Sequence, residues 1–400
     1  MSKGLAKTIQ NLTSLCRTIY FVFAAIFYFA SCIVIIPVVY FVHKVLTALG
    51  LDMWKFKSSV GKIWLLVTQS LLCILIGDNT YMLYKEPPEN INSQNTLIIS
   101  NHTTYIDWVY LWSLLIETGR ENISFIAKEA IGSIYFLKLG MKMLNFVLLS
   151  RKMEQDKSRL KEACSVLHKS PNYNLVVFPE GTFIDPATEQ ASKDFLSNQI
   201  EIRKKLETLP KEEIERLGLH VTIPSEITAP FKQVIFPRVK GFTLLVNELK
   251  DSIKYIMDCT IYLNMDGTLE EFPSHYFTLK NILLGRCSRM QAVIICDNIV
   301  FNKSIADDSS NWMYKQFKKK DELLMKIKGT SINDVVLDYE TNLKYKKRRV
   351  HPSLPVTIFL SAGALAIIIP VFYVIWQLFL LAVATFVGVK GLLGKKCITS

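Results

Sequence analysis

The chain has 400 residues, 50% of them hydrophobic and 20% charged, with a formal charge of +12. Ordinary glycine and proline (17 and 14) beside 23 Phe and 16 Tyr exclude a disordered or collagen-like chain, and eight cysteines, none at CxxC spacing, exclude a disulfide scaffold and offer no zinc site. The basic excess comes without a nucleic-acid-binding module, and its placement beside apolar runs suits an anionic membrane face instead.

Thr18 to Val42 carries no charged residue. It is long enough to span a hydrocarbon core of about 30 Å, and Pro37 marks a kink within it. No small-residue cleavage site gives it the form of a signal peptide. A shorter apolar run, Ile63 to Gly77, follows Lys55, Lys57 and Lys62. At that length it reads as re-entrant or packed on its neighbour. The two together predict a helical hairpin that anchors residues 1–85 in a membrane.

Residues 86–343 read as an α/β domain: a mixed sheet covered by helices. The predicted strands are Thr96–Ser100, Asn145–Ser150, Leu175–Phe178, Gln233–Phe236, Ile256–Leu263 and Ala292–Ile299. The predicted helices include Tyr105–Thr118, Gln155–His168 and Trp312–Ile327, and the charged stretch 187–217 reads as a surface insertion. Residues 344–400 form a basic linker and a C-terminal membrane hairpin. Lys344, Lys346, Lys347, Arg348 and Arg349 precede the uncharged run Pro355 to Val389, Pro370 lies near its middle, and Lys390, Lys395 and Lys396 follow it. Positive charge on both flanks predicts two short helices that enter and return on the same, cytoplasmic face.

Two loops carry candidate chemistry. Asn101-His102-Thr103-Thr104-Tyr105-Ile106-Asp107 follows the strand TLIIS directly. Positions five apart do not share a helix face, so His102 belongs to the strand-to-helix turn, with Asp107 reaching back from the first helical turn and Thr103 or Thr104 capping the helix. A carboxylate placed so holds one imidazole nitrogen and fixes the tautomer, leaving the other nitrogen to accept a proton. The second loop, Phe178-Pro179-Glu180-Gly181-Thr182, also ends an apolar run. It points to the same sheet edge, where α/β proteins bind ligands.

The two loops together resemble the glycerolipid acyltransferase family. NHTTYID is similar to the family's NHxxxxD motif and FPEGT to most of its FPEGTR motif; Asn145 to Arg151 resembles the intermediate block that ends in arginine. PRVKGF, from Pro237 to Phe242, resembles the later proline block in the form of the lysophosphatidylinositol and lysocardiolipin acyltransferase branch. Lys320-Asp321-Glu322-Leu323-Leu324 also resembles that branch. The resemblance implies an α/β acyltransferase domain on membrane helices, in the endoplasmic reticulum, that moves a fatty acyl group from acyl-CoA to a lysophospholipid hydroxyl. Acyl-CoA is then a co-substrate, and neither cofactor nor metal is implied. His102 and Asp107 are the implied catalytic pair, and backbone N–H groups near Gly181 the candidate oxyanion donors. Arg151, Glu180, Gly181, Thr182, Pro237, Arg238 and Lys240 are the implied substrate-binding residues. A CoA-independent transacylase of the tafazzin type and an idle membrane scaffold are the rival readings. One position departs from the pattern: Phe183 stands where the family carries arginine after FPEGT. Losing that guanidinium matters more for a phosphate monoester than for a diester, which favours lysophosphatidylinositol over lysophosphatidic acid as acceptor.

Overall fold

The computed structural model describes residues 3–77, 80–85, 94–120, 122–150, 152–170, 172–265, 268–269, 272–371, 373–374 and 377. Two long apolar helices open the chain, α1 (Lys3–Ala48) and α2 (Trp54–Ile76). Strands β1 (Thr80–Tyr84) and β2 (Thr96–Ser100) lead to α3 (Asp107–Glu117), β3 (Ile123–Lys128), α4 (Tyr135–Met143), β4 (Val147–Leu149), α5 (Met153–His168) and β5 (Asn174–Val177). Helices α6 (Pro186–Thr208), α7 (Lys211–Leu217) and α8 (Val239–Leu249) precede β6 (Tyr255–Met265) and β7 (Thr268–Leu269). The short helices α9 (Pro273–Tyr276) and α10 (Leu279–Leu283) come before β8 (Met290–Val300), and α11 (Lys303–Asp307), α12 (Ser309–Ile327) and α13 (Ile332–Thr341) before β9 (Lys346–Arg349). A last helix, α14, runs from Leu354 to Val371.

The strands make one mixed sheet in the order β4-β3-β5-β2-β6-β8-β1-β9, with β7 paired to β6 alone. From β4 to β6 all neighbours are parallel; β6–β8 and β1–β9 are antiparallel. The two-residue alternation of strand side chains splits the core in two. Leu97, Ile99, Leu175, Val177, Val293 and Ile295 face the layer of α5, α8, α12 and α13. Ile98, Val176, Met257, Ile261 and Ile294 face α1, α2, α3 and α14.

That second layer joins the two ends of the chain, which the sequence presented as separate anchors. Tyr28 Oη pairs with Thr68 Oγ1 at 2.7 Å and accepts the Trp64 indole N–H at 3.1 Å, tying α1 to α2. Tyr20 Oη meets Ser361 Oγ at 2.6 Å, tying α1 to α14. Gly363 lets the Phe27 ring sit where a Cβ would be 2.3 Å from it. Helix α2 is also longer than the apolar run Ile63–Gly77. Lys55, Lys57 and Lys62 continue it toward its start, because lysine is a good helix former and breaks no backbone hydrogen bond.

Several expected boundaries move. Asn145 adopts φ of +57°, which asparagine tolerates, so β4 starts only at Val147. Gln233–Phe236 is not a strand. Its N–H groups are satisfied by side chains, Lys232 and Gln233 donating to Asp321 Oδ1 (2.8 and 2.6 Å) and Phe236 to Ser192 Oγ (3.1 Å). The sheet passes the expected domain limits of 86 and 343, since β1 and β9 belong to it; the basic linker is in part an exposed edge strand, where charge discourages further pairing. The insertion 187–217 is two helices. The first is started by a capping box of Asp185 and Thr188 and held by Arg203 on the carbonyls of Ile223 and Pro224 (both 2.6 Å). Helix α14 includes Pro370 and Val371, and Tyr373, Val374 and Gln377 beyond them are helical too. Most of the rest of the expected C-terminal hairpin lies outside the described residues.

Candidate active site

The register of two adjacent parallel strands builds the site. Ile99 of β2 pairs with Val177 of β5. Three residues further along each strand come His102 and Glu180, so the two loops leave the sheet side by side at its carboxyl edge. The His102 N–H donates to Glu180 Oε2 at 2.9 Å, and the Ile184 N–H returns to the His102 carbonyl at 3.2 Å. Asn101 locks the same turn to β6, its amide bonding both the N–H and the carbonyl of Ile261 (2.7 and 3.0 Å).

His102 Nδ1 lies 2.8 Å from Asp107 Oδ2. A carboxylate only accepts, so Nδ1 carries the hydrogen and Nε2 presents a lone pair. Asp107 is fully buried. Its Oδ2 also accepts the N–H groups of Thr103 and Thr104, and its Oδ1 accepts both threonine hydroxyls, at 2.8 and 2.7 Å. The threonines therefore serve the carboxylate, and α3 begins after Ile106 without a side-chain cap. Two rings hold the imidazole. Phe178 stacks on it at 4.4 Å, and Phe183 meets it edge-on at 5.7 Å while packing against Tyr105 at 4.5 Å. His102 itself stays 21% exposed, and Nε2 has no hydrogen-bond partner among the described residues. A cavity of about 690 Å³ opens beside Tyr105 and Ile106, with Phe277 and Ile282 on its far wall.

The other expected residues fall into three groups. Glu180 is 1% exposed beneath the turn, with its carboxylate on the His102 backbone. It is placed to position His102, instead of to meet a substrate as expected. Gly181 and Thr182 line the loop above it, and Gly181 adopts φ of +72°. The Gly181 N–H is already held by the Phe178 carbonyl at 2.9 Å. Pro237 is buried, while Arg238 and Lys240 are exposed. The Arg238 N–H donates to the Pro179 carbonyl at 2.7 Å, and its side chain crosses Gly181 so closely that a Cβ there would meet Cδ and Nε at 3.1 Å. A guanidinium thus reaches the FPEGT loop from a distant segment. Arg151 lies outside the described residues. Phe178 and the two threonines escaped the sequence reading as site residues, although the motifs contain them; their roles depend on ring packing and hydroxyl direction, which spacing does not encode.

Burial drives the Glu180 carboxyl well above its ordinary value of 4.5, against the N–H groups of His102 and Ile235 that favour the anion. The unfolded chain releases this proton above about pH 4.5 while the fold keeps it, so this group makes stability fall as pH rises from there toward the raised value. Glu180→Gln keeps an acceptor for the His102 N–H and removes that slope. Urea midpoints compared at about pH 5 and pH 8 should therefore fall less in the variant than in the wild type. Equal falls would contradict the burial argument.

The site is thus a histidine–aspartate pair at the carboxyl end of one parallel strand, backed by a buried glutamate from the next. The family model described as Acyltransferase matches residues 83–246, so that stretch carries an acyltransferase domain. The chain is 29% identical over 287 residues to 2-acyl-1-lysophosphatidylinositol acyltransferase of Saccharomyces cerevisiae, covering 62% of this chain and 64% of that protein. It is 28% identical over 178 residues to lysocardiolipin acyltransferase 1 of Gallus gallus, covering 43% and 39%. The chain thus spans less than two thirds of the length of these relatives. It is also similar to the crystal structure of the 1-acyl-sn-glycerophosphate acyltransferase PlsC from Thermotoga maritima, with TM-score 0.41 and 16% identity, over 79% of this chain and 97% of that one.

Proposed function

We propose that the protein is a membrane-integrated acyltransferase that moves a fatty acyl group from acyl-CoA to the free hydroxyl of a lysophospholipid. The observation that carries this is the imidazole of His102, tied at Nδ1 to a buried carboxylate and left open at Nε2. Nε2 takes the proton of the acceptor hydroxyl as its oxygen attacks the thioester carbonyl, and Asp107 stabilises the imidazolium that forms. The carbon–sulfur bond then breaks, and the CoA thiolate leaves with the proton returned by the imidazolium. The oxyanion of the tetrahedral intermediate needs preorganised donors. With the Gly181 N–H already engaged, those of Thr182 and Phe183 are the next along the loop. Membrane integration is supported by three helices, over Asn11–Ala48, Trp54–Ile76 and Leu354–Val371, long and apolar enough to cross a bilayer. Exposed Val34, Phe41, Ile358 and Ile369 give them an outer apolar face. The endoplasmic reticulum is the membrane we assign, with the active site on its cytoplasmic side.

Turnover of the purified full-length protein with acyl-CoA and a panel of lysolipids, read by mass spectrometry, tests this. Transfer only from intact phospholipid donors would replace acyl-CoA with a transacylase reaction, and no transfer from either would leave a scaffold.

Among acceptors we assign lysophosphatidylinositol first. A yeast relative bears that substrate in its name. Phe183 puts an apolar ring beside the imidazole, and Arg238 supplies one cation to the loop, which matches the single charge of a phosphodiester. The specificity constant for lysophosphatidylinositol should exceed that for lysophosphatidic acid, and Phe183→Arg should narrow the ratio. A wild-type constant for lysophosphatidic acid at or above that for every headgroup-bearing lysolipid would refute the assignment.

A further inference from the structure

At the opposite edge of the sheet, where β2, β3 and β5 begin, Arg120 is buried to 2% exposure behind the end of α3. Its Nη1 donates to Thr96 Oγ1 at 2.7 Å and to Asn174 Oδ1 at 3.1 Å, both neutral acceptors. Its Nε and Nη2 are buried and have no hydrogen-bond partner among the described residues. Arg120 lines a cavity of about 60 Å³ between the first turns of α2 and the strand starts, together with Lys57, Ser58, Lys62, Asn122 and Asn145. Gly61 brings α2 close enough to shape this wall, since a Cβ there would stand 3.1 Å from Leu144 and 3.3 Å from Trp112. No carboxylate appears among the described residues that line the cavity. Burial pushes Arg120 down to about 10, which still leaves it cationic at neutral pH.

A buried cation without a counter-charge is costly, and a fold keeps one where something anionic meets it. Two further cations on α2, Lys57 and Lys62, share the cavity with Arg120, and a cluster of cations with a guanidinium among them suits an oxyanion. The volume admits a few waters or one small tetrahedral group. We propose that this cavity binds a phosphate-class oxyanion, either a phospholipid headgroup phosphate or phosphate from solution. It lies at the far edge of the sheet from His102 and needs no role in acyl transfer.

The test uses full-length protein in detergent, with ionic strength held constant by potassium chloride. Inorganic phosphate should raise the thermal midpoint saturably, by about 2–4 °C. Each of Lys57→Ala and Lys62→Ala should weaken the response about fivefold. Arg120→Gln should abolish it, and because that change also loosens Thr96 and Asn174, the lysine variants carry the test if the chain fails to fold. Short-chain phosphatidic acid below its micellar concentration separates the sources: a response at lower concentration than inorganic phosphate assigns the headgroup, the reverse assigns the free ion. A midpoint that responds to phosphate and phosphatidic acid no more than to chloride overturns the proposal and leaves water in the cavity. So does a response unchanged in all three variants.

Discussion

His102→Ala should lower acyl-transfer turnover by 10²–10⁴-fold, roughly the loss that follows removal of a general base, while the protein folds and inserts normally. The fold should survive because the turn is held by backbone and neighbouring groups. The His102 N–H stays on Glu180, its carbonyl stays on Ile184, and Asn101 still bridges to β6. The Phe178 stack, the Phe183 edge contact and the Asp107 hydrogen bond are lost. Asp107→Asn separates charge from geometry. Two main-chain N–H groups and the imidazole N–H all face one carboxylate oxygen, so the amide oxygen takes that position and its NH₂ turns to the threonine hydroxyls, which then accept. The tautomer survives and the anion does not, so the loss should lie near the low end, about 10²-fold. Turnover by mass spectrometry checks both. A His102→Ala enzyme with near-wild-type turnover would sink the mechanism.

The His102–Asp107 contact was legible because it is local. Five residues separate His102 from Asp107, and a strand–turn–helix pattern around them leaves one geometry in which they meet. Strands β2, β5, β6 and β8 were legible for a related reason, being apolar runs with clear ends. Strand β9 was not: Lys346 to Arg349 are all exposed, and four cations in a row read as a solvated linker. Residues 233–236 have the composition of a strand but lie outside the sheet, because Asp321 and Ser192, both remote in sequence, take their N–H groups. The burial of Glu180 was equally hidden. It depends on the register of β2 with β5, which places His102 above it.

The KDELL block on α12 shows how such remote contacts support the site, and it yields the largest expected stability effect. Lys320 is 2% exposed and forms an ion pair with Asp258 of β6, and its Nζ donates to the Cys259 carbonyl at 2.6 Å. Burial raises the Asp258 carboxyl, and Lys320 is the main force holding it down. Asp258 stands opposite Ile99, three residues before His102, so the pair fixes β6 against the strand that delivers the His102 turn. Lys320→Met should cost about 3–5 kcal/mol, since it takes the main counter-charge from a largely buried carboxylate. The loss belongs to the stranded partner more than to the missing attraction. Adding Asp258→Asn should therefore restore most of it, since the amide leaves no charge stranded. Denaturant midpoints of the two single variants and the double variant form the cycle that reads this. A double variant no more stable than Lys320→Met alone would place the cost in the lost Cys259 carbonyl contact and the packing of α12, not in the charge of Asp258.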